Sequence, residues 1–323
     1  MERTIVGVVR GGTSSEYDLS LKTGAAIMSA LPSGQYRTRD ILIDKRGVWH
    51  VRGIPVAPMR ALSQVDVAIN GLHGGVGEDG SVTRVFEQSG IPYVGSGPLS
   101  SGMALNKVRA RQMFSQAGLL IPKGVAFKLE SGLSTGEMAA VVFRRFPAPY
   151  VVKPVSDGSS HGIRIVQNII DLPEAVGDVL DTFGAALVEE YIRGYNATVG
   201  IVENFRNQTM YALPPAHTIL PLDARSIESV HLRESLLNHK VPSNFSDLQK
   251  KRLMEFAIRA HQALGLSHFS QSDFVVTPRE VYLLEVNANP GLYPGASFPT
   301  MLESVGSSVS ELLLHTIELA RAR

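Results

Sequence analysis

The chain of 323 residues carries a formal net charge of +1, with 44% hydrophobic and 19% charged residues and no cysteine. Those figures describe a soluble globular protein of two or three domains. They exclude disulfides and cysteine metal sites, offer no field to draw in nucleic acid or an anionic membrane, and leave no run of roughly 18 apolar residues to span a bilayer.

Residues 5–9 form an apolar run too short for a signal peptide, which reads as a first strand. It ends in Arg10-Gly11-Gly12-Thr13-Ser14-Ser15-Glu16, before a helical pattern at Leu19, Gly24, Ala25, Ala26 and Met28. That is a strand, loop and helix, with Ser14 or Ser15 placed to cap the helix. Further short strands at 41–43, 65–69 and 93–94, with helical patterns between them, argue a parallel, doubly wound α/β sheet. Ligands gather at the carboxyl ends of such strands. Two loops leave there, one with Glu16 and one running from Leu72 and His73 through Gly74, Gly75 and Gly77 to Gly80. The glycines either let backbone approach a ligand or simply make a turn. His73, taken alone, reads as a loop or capping histidine.

Asn106-Lys107 opens a periodic helix over 108–117, where a lone lysine reads as solvated. Residues 149–154 form a strand ending in Lys153-Pro154. A Gly/Ser-rich turn over 155–162 follows, then another strand at 163–166. Such a turn offers N–H groups and hydroxyls to an anion, and the lysine adds point charge for phosphate. The other reading is a polar hairpin loop. It is not a P-loop, because the lysine precedes the glycines and no helix follows. Beyond a helix near 173–183, an apolar strand runs into Glu189, Glu190, Tyr191 and Ile192. This suits either a wall against a purine, with Glu189 accepting from an amino group, or an ordinary strand end.

Asp273 then begins a strand–turn–strand pattern around Thr277-Pro278-Arg279-Glu280. Glu285 and Asn287 project to one side, and a tight hairpin sets Asp273 nearly opposite Glu285. Paired carboxylates repel unless a cation lies between them. Hard oxygen donors suit Mg²⁺ held together with substrate phosphates. The alternative is an edge hairpin with solvated acids.

In this order the pieces resemble the ATP-grasp superfamily, and within it the D-alanine–D-alanine ligases. The matching text is Gly-Gly-Thr-Ser-Ser-Glu at 11–16, His-Gly-Gly-Val-Gly-Glu-Asp-Gly at 73–80, Tyr-Val-Gly-Ser-Gly at 93–97 and Asn-Lys at 106–107. It continues with Val-Lys-Pro at 152–154, Gly-Ser-Ser-His-Gly at 158–162, Glu-Glu-Tyr-Ile at 189–192, Asp273, and Leu-Glu-Val-Asn-Ala-Asn-Pro-Gly at 284–291. The resemblance implies a Rossmann-like N-terminal domain over 1–103, a small ATP-grasp subdomain over 104–184 and a larger one over 185–323 that holds the metal. It implies a cytoplasmic enzyme, homodimeric through the N-terminal domain, that makes a peptidoglycan-precursor dipeptide. ATP phosphorylates the carboxylate of one D-alanine, and the amine of a second displaces the phosphate.

By the same resemblance Lys107 and Lys153 hold ATP phosphates under the loop carrying Ser159, Ser160 and Gly162. Glu189, Glu190, Tyr191 and Ile192 receive the adenine, and Asn196 the ribose. Asp273, Glu285 and Asn287 hold Mg²⁺, with Mn²⁺ as a substitute. Glu16 takes the first substrate's ammonium, with Ser159 ordering the loop above it. His73 falls near the reacting amino acids, and Gly291 with Ser297 on the acceptor side. Four departures from the family text stand out. Gln271 replaces an arginine that stabilises the oxyanion. The lid between 217 and 242 lacks its tyrosine, leaving Arg225, Arg233 or Lys240 in place of its lysine. Ala296-Ser297 replaces a serine–leucine pair, and Asn196 an acid. These departures fit an altered or slow second half-reaction. They keep open a ligase for another amino-acid pair, or a weakly active nucleotide-binding paralogue.

Overall fold

The computed structural model describes residues 3–157, 162–219 and 238–323. Its first sheet runs β4 (Ile54–Pro55), β3 (Trp49–Val51), β2 (Tyr36–Ile43), β1 (Thr4–Gly11), β5 (Val67–Asn70), β6 (Tyr93–Val94). The four strands from β2 to β6 are parallel, as the alternation of strand and helix demands. The last two strands on one side, β3 and β4, are antiparallel, contrary to the all-parallel expectation. The cause is local: Asp44 and Val48 close a tight turn in which Gly47 takes φ +84°, and a turn so short reverses the chain. Helix α1 (Tyr17–Ala30) packs on β1. Neither Ser14 nor Ser15 caps it. Glu16 holds the cap position without a side-chain capping bond; the Ser14 hydroxyl oxygen accepts from the Glu16 N–H, ahead of the first helical N–H groups, while its proton goes to the carbonyl of His73.

The second sheet is wholly antiparallel, in the order β7 (Gly124–Lys128), β10 (Ala185–Glu190), β8 (Tyr150–Pro154), β9 (Arg164–Val166). Helices α6 (Thr135–Phe143) and α7 (Leu172–Phe183) lie against it around Val142, Tyr150, Val152 and Val176. Strand β10 follows residue 184 yet pairs with both β7 and β8.

The third sheet is also antiparallel: β14 (Asn238–Lys240), β13 (Ala216–Ile219), β11 (Tyr195–Phe205), β15 (Phe269–Val276), β16 (Val281–Asn287), with β12 (Gln208–Ala212) also on β11. Helices α5 (Lys107–Gln116) and α8 (Asp247–Ala263) share its core through Phe114, Leu253, Ala257 and Phe274. Helix α9 (Ser297–Ser304) lies on the other face. The final helix, α10 (Val309–Ala322), returns to the first sheet, where Leu312, Leu313 and Ile317 join Val6, Val8 and Ile69 in one core. The two ends of the chain are therefore bonded by apolar burial. That brings loops of the first sheet over the hairpin of the third.

Candidate active site

The β15–β16 hairpin sets the centre. The hydroxyl and carbonyl of Thr277 and Glu280 close its turn. Its register pairs Asp273 with Glu285, Ser272 with Val286 and Gln271 with Asn287. Ser272, Phe274 and Val286 are buried on the core face, and Gln271, Asp273, Glu285 and Asn287 are half-buried on the other. A bulge after Asp273 absorbs the register shift towards the turn. Two carboxylates and an amide oxygen thus share one face, as the alternation requires. Thr198, opposite Asp273 on β11, donates its hydroxyl to Asp273 Oδ1 at 2.7 Å, and Asn287 Oδ1 accepts from the N–H of Asn289 at 2.7 Å. Among the described residues no three His, Asp or Glu side chains cluster as a cation site. The donor set here is two acids and one amide, all hard oxygens.

Cations approach from the second sheet. The N–H of Lys107 binds the carbonyl of Val155 just past β8, and Asn106 caps α5 through Arg109 N–H. The helix start is thereby tied to the end of the lysine strand. Lys107 is 8% exposed, so the solvated reading fails. Its Nζ donates to the Asp157 carbonyl at 2.7 Å and lies 3.3 Å from Glu285 Oε2, which joins the glycine-loop strand to the hairpin. Lys153 and Glu189 are 5% and 2% exposed. The β8–β10 register sets them diagonally on one sheet face, with Nζ 2.6 Å from Glu189 Oε2. Arg111 grips the other oxygen of Glu189 and the carbonyl of Pro122.

The first sheet closes a third side. Ser14 accepts from the Glu16 N–H while donating to His73 O. His73 is buried, its Nε2 2.7 Å from Thr23 Oγ1 and its Nδ1 3.7 Å from Glu78 Oε1. A Cβ at Gly74, where φ is +63°, would meet Glu16 Oε2 at 2.5 Å, so only glycine fits there. Asn289 Nδ2 donates to Leu72 O at 2.7 Å across 217 residues of sequence, and so ties this loop to the hairpin. On the remaining side Ser297, the first residue of α9, donates its hydroxyl to Gln271 Oε1 at 2.7 Å.

Comparison with known proteins bears on this assembly. The family model described as D-ala D-ala ligase C-terminus matches residues 113–318, and that described as D-ala D-ala ligase N-terminus matches 52–96. The chain belongs to the D-alanine–D-alanine ligase family. A D-alanine–D-alanine ligase from Desulforudis audaxviator is 31% identical over 319 residues, 98% of this chain and 99% of the relative. Among solved structures, the VanG D-Ala:D-Ser ligase from Enterococcus faecalis is 28% identical with a TM-score of 0.84, covering 99% of this chain and 100% of that one. The D-alanine–D-alanine ligase from Bacillus anthracis complexed with ATP is 25% identical with a TM-score of 0.81, covering 99% and 98%.

Within this ligase family frame, the expected site residues fall into three connected groups. Gln271, Asp273, Glu285, Asn287 and Ser297 gather with Lys107 on the hairpin. Lys153 and Glu189 pair on the second sheet, and Glu16 and His73 sit in adjoining loops. Glu190 accepts from Lys123 N–H at the end of β10, Tyr191 and Ile192 follow it, and Asn196 stands opposite Val275 on β11. Gly291 lies past the hairpin, where a Cβ would meet the ring of Tyr293. Gly162, at φ +85°, is described, but Ser159 and Ser160 lie outside the described residues, as do Arg225 and Arg233. Lys240 is paired in β14 with His217. Two participants escaped the sequence reading. Arg111 was signalled only by its spacing of four from Lys107 on one helix, which puts both on one face. Asn289 was quoted within the Asn-Pro-Gly text without a role.

Proposed function

We propose that the protein is an ATP-dependent carboxylate–amine ligase that forms D-alanyl-D-alanine for peptidoglycan precursor synthesis. The observation that carries this is the hairpin register, with Asp273 facing Glu285, Gln271 facing Asn287, and Lys107 reaching Glu285 from the start of α5, where its N–H is tied to the end of the strand that bears Lys153. A polyphosphate needs both cationic side chains and a divalent ion, and this face offers both. Asp273, Glu285 and Asn287 would hold Mg²⁺, or Mn²⁺ in its place, which supplies charge neutralisation for the β- and γ-phosphates when bound.

In this reading Lys107 and Lys153 orient the phosphates. Ser159, Ser160 and Gly162 cover them, and Glu189, Glu190, Tyr191, Ile192 and Asn196 bind the nucleoside. Glu16 and His73 hold the first D-alanine. Its carboxylate oxygen takes the γ-phosphoryl group and ADP leaves. The second D-alanine's nitrogen then bonds to the acyl carbon, phosphate departs, and the nitrogen loses a proton. Gln271 donates to the oxyanion of that step, and Asn287, Gly291 and Ser297 border the acceptor.

The division into domains over 1–103, 104–184 and 185–323 belongs to the same proposal, and the pairing of β10 argues for a second boundary nearer 190. So do a homodimer through the first sheet and a cytoplasmic location. Among the described residues no helix is long and apolar enough to cross a membrane.

The test is incubation with Mg·ATP and a panel of D- and L-amino acids, D-serine included, following ADP and dipeptide together. Dipeptide from D-alanine alone is the expected result. Dipeptide only from other pairs overturns the substrate, and nucleotide binding without turnover overturns the enzyme. Light scattering on a sizing column tests the dimer.

A further inference from the structure

Two of the chain's departures from its family text, Gln271 and Ser297, touch each other. Ser297 is 7% exposed, and its hydroxyl donates to Gln271 Oε1 at 2.7 Å. A serine hydroxyl has one proton to give, and this one is committed. The consequence for Gln271 follows from the amide's shape. With its oxygen turned to Ser297, its Nε2 points the other way, with two N–H donors. Among the described residues Nε2 meets no protein acceptor, nor is it a buried orphan. It therefore opens on the cleft, on the strand face that carries Asp273 and opposite Asn287. The wall behind it is tight. Gly200 pairs with Gln271 on β11, and a Cβ there would meet Leu213 at 2.7 Å and Phe298, the next residue of α9, at 2.8 Å. Ser297 is fixed by the same helix start, so its hydroxyl is presented at a set position.

We propose that Ser297 is a positioning residue rather than a substrate ligand: its hydroxyl locks the Gln271 amide with both N–H donors facing the reacting carbonyl oxygen. The two departures are then one coupled change. A neutral amide replaces a guanidinium as donor, and the hydroxyl supplies the orientation that a guanidinium fork has by itself. The proposal rests on the ligase reading given above. It also predicts that Gln271→Arg alone brings no gain, because the Ser297 hydroxyl then loses its acceptor.

The test is a double-mutant cycle followed by dipeptide formation from D-alanine, with melting temperature as a check on folding. Ser297→Ala is expected to lower kcat about ten-fold, the effect of one lost orienting hydrogen bond, with KM for ATP and for the acceptor within about two-fold. Ser297→Thr, which keeps the hydroxyl, is expected to restore kcat. In a Gln271→Ala background Ser297→Ala is expected to change nothing further, because the group it positions is gone. Additive effects, or a loss confined to acceptor KM, overturn the proposal and make Ser297 a direct ligand. So does a kcat unchanged by Ser297→Ala. A wild-type protein that makes no dipeptide from D-alanine is a different result, and overturns the ligase reading with this inference on top of it.

Discussion

Lys153 and Glu189 form a buried ion pair, 2.6 Å apart with both side chains more than nine-tenths enclosed, and Arg111 closes on the free oxygen of the same carboxylate. One acid thus orients two cations from two elements, β8 and α5. Uncompensated buried charge is costly, so Glu189→Ala is expected to destabilise the protein by about 3–5 kcal/mol. It should also raise KM for ATP, because Lys153 loses its anchor. Denaturant unfolding and ADP-formation kinetics check this. Unchanged stability would show that the pair does not persist in solution.

Lys107 lies 3.3 Å from Glu285, so the carboxylate is held towards the start of α5. Glu285→Ala is expected to abolish metal-dependent ADP formation and to weaken Mn²⁺ binding in the presence of ADP by at least ten-fold or so. Titration calorimetry with Mn²⁺ and ADP separates the two effects. Retained activity in this variant would count against the metal assignment.

Gly74 stands at φ +63° with Glu16 Oε2 against its missing Cβ. Gly74→Ala is expected to cost about 1–2 kcal/mol through backbone strain and to push Glu16 aside. KM for the first D-alanine should then rise while KM for ATP stays put. An equal rise in both would mean that the loop does not report on the amino-acid pocket.

His268 couples stability to pH. Burial pushes its imidazole down to about 4, against the pull of Glu203, with Arg323, His315 and His261 lowering it further. Its Nδ1 accepts from Gly95 N–H at 3.0 Å, a bond that only the neutral ring can make. The unfolded ring titrates near 6.5, so between pH 6.5 and 4 the unfolded chain binds the extra proton. The neutral ring's contribution is whole above about pH 6.5 and is lost as pH falls towards 4. Unfolding free energy is expected to drop by about 2 kcal/mol at pH 5 from this group alone. His268→Asn, which tolerates the residue's φ of +68°, should flatten that part of the profile. An identical profile in the variant would assign the pH dependence elsewhere.

The parallel strands of the first sheet, β8 to β10 and the hairpin strands were legible because they are apolar runs broken by glycine and proline, whereas β7 and β11 to β14 and the order of strands within each sheet drew no reading. The hairpin was legible in detail. Alternation put Glu285 and Asn287 on one face, and the short turn set Asp273 against Glu285. The antiparallel edge at β3 and β4 was not, because it depends on one tight turn at Gly47 rather than on periodicity. The Ser14 cap failed for a related reason. The helix begins later than either serine cap requires, so the Ser14 oxygen accepts from the Glu16 N–H before the helix while its proton goes to the carbonyl of His73, 59 residues away.

The amino-acid sequence by itself decided which groups the protein owns: two lysines, a pair of acids with an amide at hairpin spacing, and glycine loops at strand ends, each written in local text. Only the tertiary structure decided how they share their bonds. Glu189 could not be known to serve both Lys153 and Arg111, nor Ser297 to give its only proton to Gln271, nor Asn289 to fasten the hairpin to Leu72. Those partners lie between 26 and 217 residues apart, and no local pattern of the chain encodes a contact made by burying distant segments together.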